Sequence, residues 1–111
     1  MTKTIDKIIN YAVEITQPQE IILFGSVPEG KNNVHSDVDL LIVTDDTHLK
    51  PYFVKQIRAF AREFSLAVDV LIHSKNELEN ASLSSFSFLG NIVKSGKIIY
   101  KKSIQSYISL R

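Results

Sequence analysis

Residues 21–43 read Ile21-Ile22-Leu23-Phe24-Gly25-Ser26, then ten residues from Val27 to Ser36, then Asp37-Val38-Asp39-Leu40-Leu41-Ile42-Val43. The run Ile21–Phe24 is short, wholly apolar and halted by Gly25, the pattern of a buried strand. Asp37–Val43 reads as a second strand with two carboxylates in its first half. Side chains two apart on a strand project to the same face, which sets Asp37 and Asp39 side by side. Aspartate is depleted in strands, and two like charges among Leu40, Leu41, Ile42 and Val43 are costly without compensation. A divalent cation supplies it: Mg²⁺ takes oxygen ligands, commonly one or two carboxylates plus substrate phosphates.

An isolated Asp-x-Asp reads most simply as a solvated strand end. Two further features reverse that reading. Asp69 repeats the pattern within Val68-Asp69-Val70-Leu71-Ile72, a third apolar strand, so that three carboxylates can converge across neighbouring strands. Two ions ~4 Å apart that clamp attacking and leaving oxygens are a recurring arrangement in phosphoryl-type transfer. Gly25-Ser26 follows a buried strand, where a sharp turn brings backbone N–H groups and a hydroxyl within reach of a phosphate. The heptapeptide Gly25–Lys31 imitates a P-loop, but Asn32 replaces the Mg²⁺-binding Ser or Thr. Another strand follows where that motif needs a helix, so the P-loop reading fails.

Outward from this stretch, Ile5, Ile8, Ile9, Ala12 and Val13 have the spacing of an amphipathic helix, with Thr4 as N-cap and Pro18 as terminator. Gly25 to Ser36 is mostly turn and loop, and Asp45-Asp46-Thr47 is a turn. A helix begins near Lys50 with Pro51 in its first turn. It would bury Val54, Ile57, Phe60, Ala61 and Phe64 and turn Lys55, Arg58 and Arg62 to solvent. Ser74-Lys75-Asn76-Glu77 resembles a capping box. A Ser-rich helix from about Leu83 to Ser95 stops at Gly96 as its C′ residue, and Lys97–Tyr100 is a last strand. The resulting order predicts an α/β (α+β) fold, a small mixed β-sheet with helices packed on one face. It forms a single domain over 1–111 with a frayed tail from 101 to 111.

The 111 residues carry 13 basic and 12 acidic groups and no cysteine, which excludes a disulfide scaffold, a thiol nucleophile and a zinc–thiolate site. No apolar run approaches the ~20 residues of a membrane span, and Thr2-Lys3-Thr4 opens no signal peptide, so a cytoplasmic location is expected. Residues 1–50 carry 4 basic and 8 acidic groups, whereas residues 51–111 carry 9 and 4. That asymmetry suits a bound polyphosphate or an acidic partner better than direct nucleic-acid binding, which is not expected. His35, His48 and His73 have no i, i+4 histidine partner and read as solvated loop or strand-end residues. Phe53, Phe60, Phe64, Phe86 and Phe88 read as core.

The spacing Gly25-Ser26-x10-Asp37-x-Asp39, with Asp69 as a third carboxylate, resembles the signature of the minimal nucleotidyltransferases (MNT) of the DNA polymerase β superfamily. Ser95-Gly96-Lys97-Ile98-Ile99-Tyr100 is similar to the usual ending of that family, and the likeness spans residues ~5–100. The resemblance implies a polymerase β palm-like fold and transfer of a nucleoside monophosphate, AMP from ATP, with release of pyrophosphate. It implies Asp37, Asp39 and Asp69 as ligands of two Mg²⁺ ions, with Mn²⁺ as a substitute. Gly25, Ser26 and Lys31 would bind the phosphates, and Asp69 would accept the acceptor hydroxyl's proton. One departure stands out: Val27-Pro28-Glu29-Gly30 replaces the Arg-bearing segment common among relatives, with Lys31 as the compensating charge.

The resemblance also implies a partner, because short MNT proteins are commonly paired with helical HEPN-type ribonuclease toxins and act as antitoxins, some by adenylylating a toxin tyrosine. The Ser-rich stretch with Leu83, Phe86 and Phe88 is a candidate contact surface, and a homodimer is the rival assembly. The competing function is an MNT-fold protein with weak or no activity that neutralises its partner by binding alone.

Overall fold

The computed structural model describes residues 2–25, 38–82 and 88–102. Four strands, β1 (Glu20–Phe24), β2 (Val38–Val43), β3 (Val68–His73) and β4 (Lys97–Lys101), form one sheet in the order β3-β2-β1-β4. β2 and β3 are parallel, while β1 runs antiparallel to both β2 and β4. The helices are α1 (Thr2–Thr16), α2 (Lys50–Arg62), α3 (Lys75–Ser82) and α4 (Phe88–Ser95). The mixed α+β fold expected from the sequence is present.

Alternation along each strand sorts the apolar residues between two faces. Ile21 and Leu23 of β1, Val38, Leu40 and Ile42 of β2, and Val68, Val70 and Ile72 of β3 face one side, where Ile8 and Ala12 of α1 and Phe53, Ile57 and Ala61 of α2 cover them. Burying an Ile or Leu side chain of this kind contributes about 1.5–3 kcal/mol. Tyr11 stacks on Phe60 with ring centroids 4.4 Å apart, which seals the seam between α1 and α2. The opposite face carries Ile22, Leu41 and Val43, covered by Leu78 of α3 and Ile92 of α4. Helices therefore pack on both faces, which corrects the one-face expectation. β1 and β2 are apolar at every position from 21 to 24 and from 40 to 43, and a strand apolar on both sides needs cover on both.

One helix end also differs from the sequence reading. α1 starts at Thr2, so Thr4 lies in its first turn rather than at the N-cap. The apolar stripe sets which face is buried, not the first residue. At the other end Gln17 takes a left-handed φ of +46°, ahead of the buried Pro18. α1 thus ends at Thr16, before the proline that the sequence names as its terminator. α4 stops at Ser95, directly before Gly96 as expected, though Gly96 does not take a left-handed φ. Its N–H donates to the Ile92 carbonyl at 2.7 Å, and a Cβ there would lie 2.5 Å from Ile22 Cγ2 and 2.7 Å from Ile92 O. Close packing of α4 on β1 demands glycine here. β4 continues through Lys101, which pairs with Glu20, and the Lys102 N–H donates to the Gln19 carbonyl. Residues 101 and 102, expected in a frayed tail, are thus tied to the sheet, and residues 103–111 lie outside the described residues.

The capping box at the start of α3 is present: the Glu77 N–H donates to Ser74 Oγ at 3.0 Å, and the Ser74 N–H donates to Glu77 Oε1 at 2.8 Å. The Ser74 N–H, with smaller help from Lys50 and His73, holds the Glu77 carboxyl below its ordinary value of 4.5. A depressed folded-state pKa contributes stability above the unfolded value that is lost as pH falls through the folded one. Urea midpoints measured between about pH 5 and about pH 3 should therefore fall less steeply in Glu77→Gln than in the native chain. Gly96→Ala should lower stability by about 1–3 kcal/mol, the range for overpacking, in a urea titration at neutral pH.

Candidate functional site

The flanking residues of both central aspartates decide where the carboxylates go. Val38 and Leu40 are buried against α1 and α2, which turns Asp39 to the opposite face; Val68 and Val70 do the same for Asp69. β2 and β3 pair so that Asp39 is the register partner of Asp69, and strands in a sheet lie ~4.8 Å apart. Phe24 of β1 is in turn the register partner of Asp39. Phe24, Asp39 and Asp69 thus form a row across three strands, on the face that Ile22, Leu41 and Val43 share farther along. Asp39 is half-buried and Asp69 exposed, so the row opens to solvent at its β3 end.

Gly25 closes the other side. Its φ of +86° is one that L side chains rarely adopt, and a Cβ built there would collide with Oδ2 of Asp39. The turn leaving β1 is therefore laid directly against the Asp39 carboxylate, and only glycine meets both conditions. Of the residues singled out in the sequence, the structure brings Gly25, Asp39 and Asp69 together. Ser26, Lys31 and Asp37 lie outside the described residues, as do His35, Phe86 and the Val27–Gly30 segment.

Like charges directly opposite each other destabilise a sheet unless something neutralises them. Among the described residues no group of three or more His, Cys, Asp or Glu side chains is placed to hold a metal ion. The pair Asp39–Asp69 is nevertheless an all-oxygen donor set of the kind Mg²⁺ accepts when phosphates complete its shell. The residues present fit such an ion.

Residues 6–105 match the family model described as polymerase beta, nucleotidyltransferase. The chain belongs to the polymerase beta nucleotidyltransferase family. Solved structures share its fold. A toxin–antitoxin crystallised with AMP-PNP superposes with a TM-score of 0.61 at 21% identity, over 92% of this chain and 77% of that one. A mutant of the toxin–antitoxin MntA-HpeT gives 0.59 at 20% identity, over 93% and 77%. A putative nucleotidyltransferase from Sulfolobus solfataricus gives 0.53 at 21% identity, over 92% and 81%. No curated protein matches the chain.

Other sequence candidates lie elsewhere. Lys55, Arg58 and Arg62 are exposed and, with Lys50, Pro51 and Val54, line a shallow concavity of about 530 Å³ along α2. α2 covers the sheet face opposite the carboxylates, so this basic stripe takes no part in their row. His48 is exposed beside Asp46, and His73 Nδ1 lies 3.5 Å from Glu77 Oε1. No helix among the described residues is long and apolar enough to cross a membrane. Phe88, read as core from the helical or near-helical spacing of the phenylalanines, is instead 64% exposed, while Ile92 four residues on is buried. Helical periodicity assigns the two residues one face and cannot register that this face runs past its cover at the first residue of α4.

The contact between Gly25 and Asp39 can be measured without any assay of function. Gly25→Ala should cost about 1–3 kcal/mol by chemical denaturation, through the left-handed backbone and the collision together. In an Asp39→Ala background the collision is gone, and the penalty should shrink by at least about 0.5 kcal/mol in a double-mutant cycle.

Proposed function

We propose that this chain is a metal-dependent nucleotidyltransferase that moves AMP from ATP to an acceptor hydroxyl, and that the acceptor is a tyrosine of a HEPN-type toxin, so that the transfer makes it an antitoxin. The observation that carries the transferase reading is the register match of Asp39 with Asp69, with the Gly25 turn against Asp39, in a chain of this family. The fold shared with toxin–antitoxin structures, one of them holding AMP-PNP, supports the choice of nucleotide and partner.

Asp37, Asp39 and Asp69 would hold two Mg²⁺ ions, which Mn²⁺ can replace. Bound there, the ions would neutralise the triphosphate and polarise the reacting phosphoryl group. The Gly25 turn, with Ser26 and Lys31, would bind the β- and γ-phosphates through backbone N–H groups, a hydroxyl and an ammonium. The acceptor oxygen attacks the α-phosphorus, the bond from that phosphorus to the pyrophosphate oxygen breaks, and pyrophosphate leaves. Asp69, the more exposed of the two described carboxylates, would take the proton from the acceptor hydroxyl. Most of the rate enhancement would come from positioning and charge neutralisation.

The test is intact-mass spectrometry of the partner toxin after incubation with the chain, ATP and Mg²⁺. The native chain should add one AMP per modified tyrosine, and chelation of the metal should stop the reaction. Asp37→Asn and Asp39→Asn should each abolish transfer while thermal stability holds or rises, because removing one of several close like charges relieves repulsion. An unchanged rate in either variant would sink the assignment. A toxin that the native chain neutralises without any mass change would replace catalysis by inhibition through binding.

A further inference from the structure

We infer that Phe88, backed by Phe24, is the platform on which the base of the bound nucleotide stacks, an inference that rests on the nucleotidyltransferase reading above. Phe88 opens α4 and is 64% exposed, whereas Gly90 and Ile92 of the same helix are buried. Its ring packs against Phe24 in a T-shaped pair, with centroids 6.3 Å apart and planes at 83°. Edge-to-face pairs of this kind are a favoured aromatic geometry, and they leave a face of the outer ring available.

Position supplies the second part. Phe24 is the register partner of Asp39, which is the register partner of Asp69, so the aromatic pair continues the carboxylate row at its β1 end. Neighbouring strands lie ~4.8 Å apart, which places the exposed ring within about one nucleotide's length of the Asp39–Asp69 pair. A nucleotide whose phosphates meet the carboxylates and the Gly25 turn can lay its ribose along the row and its base on Phe88. A phenyl face reads the area of a base rather than its hydrogen-bonding edge, so this contact favours purines over pyrimidines and does not by itself distinguish adenine from guanine.

Titration calorimetry in Mg²⁺, with ATP and inorganic triphosphate as separate probes, tests this on the full chain. Phe88→Ala should bind ATP roughly 5- to 150-fold more weakly, the range found for one base–aromatic stack, and bind triphosphate as the native chain does. Phe88→Trp should keep ATP affinity, and its indole fluorescence should be quenched by ATP but not by triphosphate. Equal ATP affinity in the native chain and Phe88→Ala overturns the inference and leaves the transferase reading intact. Parallel loss of both probes in Phe88→Ala also overturns it, since the ring would then support the site rather than the base. A native chain that binds neither probe overturns the transferase reading and this inference with it.

Discussion

In the parallel pair β2–β3, Asp39 and Asp69 stand opposite each other with like charge, held there by the apolar residues on either side of each. Val38, Leu40, Val68 and Val70 go into the core beneath α1 and α2, and a strand cannot bury those residues without turning its aspartate to the other face. A slip of one residue in either strand would drive a carboxylate into the core and expose two valines or a valine and a leucine. The hydrophobic effect on one face thus sets two carboxylates side by side on the other.

The remaining elements follow from that pair. Parallel strands require a crossover, and α2 supplies it, anchored by Phe53, Ile57 and Ala61 against the same face that buries the valines. β1 enters between β2 and β4 and delivers Gly25 to the Asp39 carboxylate, so an antiparallel neighbour contributes the turn that the parallel pair cannot make for itself. α3 and α4 cover the face that carries the carboxylates, but only over Ile22, Leu41 and Val43. They leave the row Phe24–Asp39–Asp69 at the rim of that cover. A fold with helices on one face alone would have left Leu41 and Val43 in water.

Much of this was legible in the residues. The apolar runs, Pro51, the capping box and the x-Asp-x alternation encode local structure, because propensity, period and capping act over a few residues. The motif spacing alone points to the family, since a turn, a strand end and a third carboxylate are constraints that leave a trace in sequence.

What only the tertiary structure decided depends on contacts distant in the chain. Asp39 and Asp69 are thirty positions apart, and no local signal states that they are register partners. Gly25 looks like a turn glycine, yet its requirement comes from the Asp39 carboxylate beside it. Gly96 looks like a helix terminator, yet it is set by Ile22 of a strand more than seventy residues earlier. Phe88 carries the apolar period of a core residue and lies in the open, because periodicity records which side of a helix is greasy and not how far the surface beneath it extends. The sequence by itself determined the elements, their buried sides and the chemistry of the acidic residues. The folded chain decided which of those residues meet, because register and packing are settled by the whole core at once.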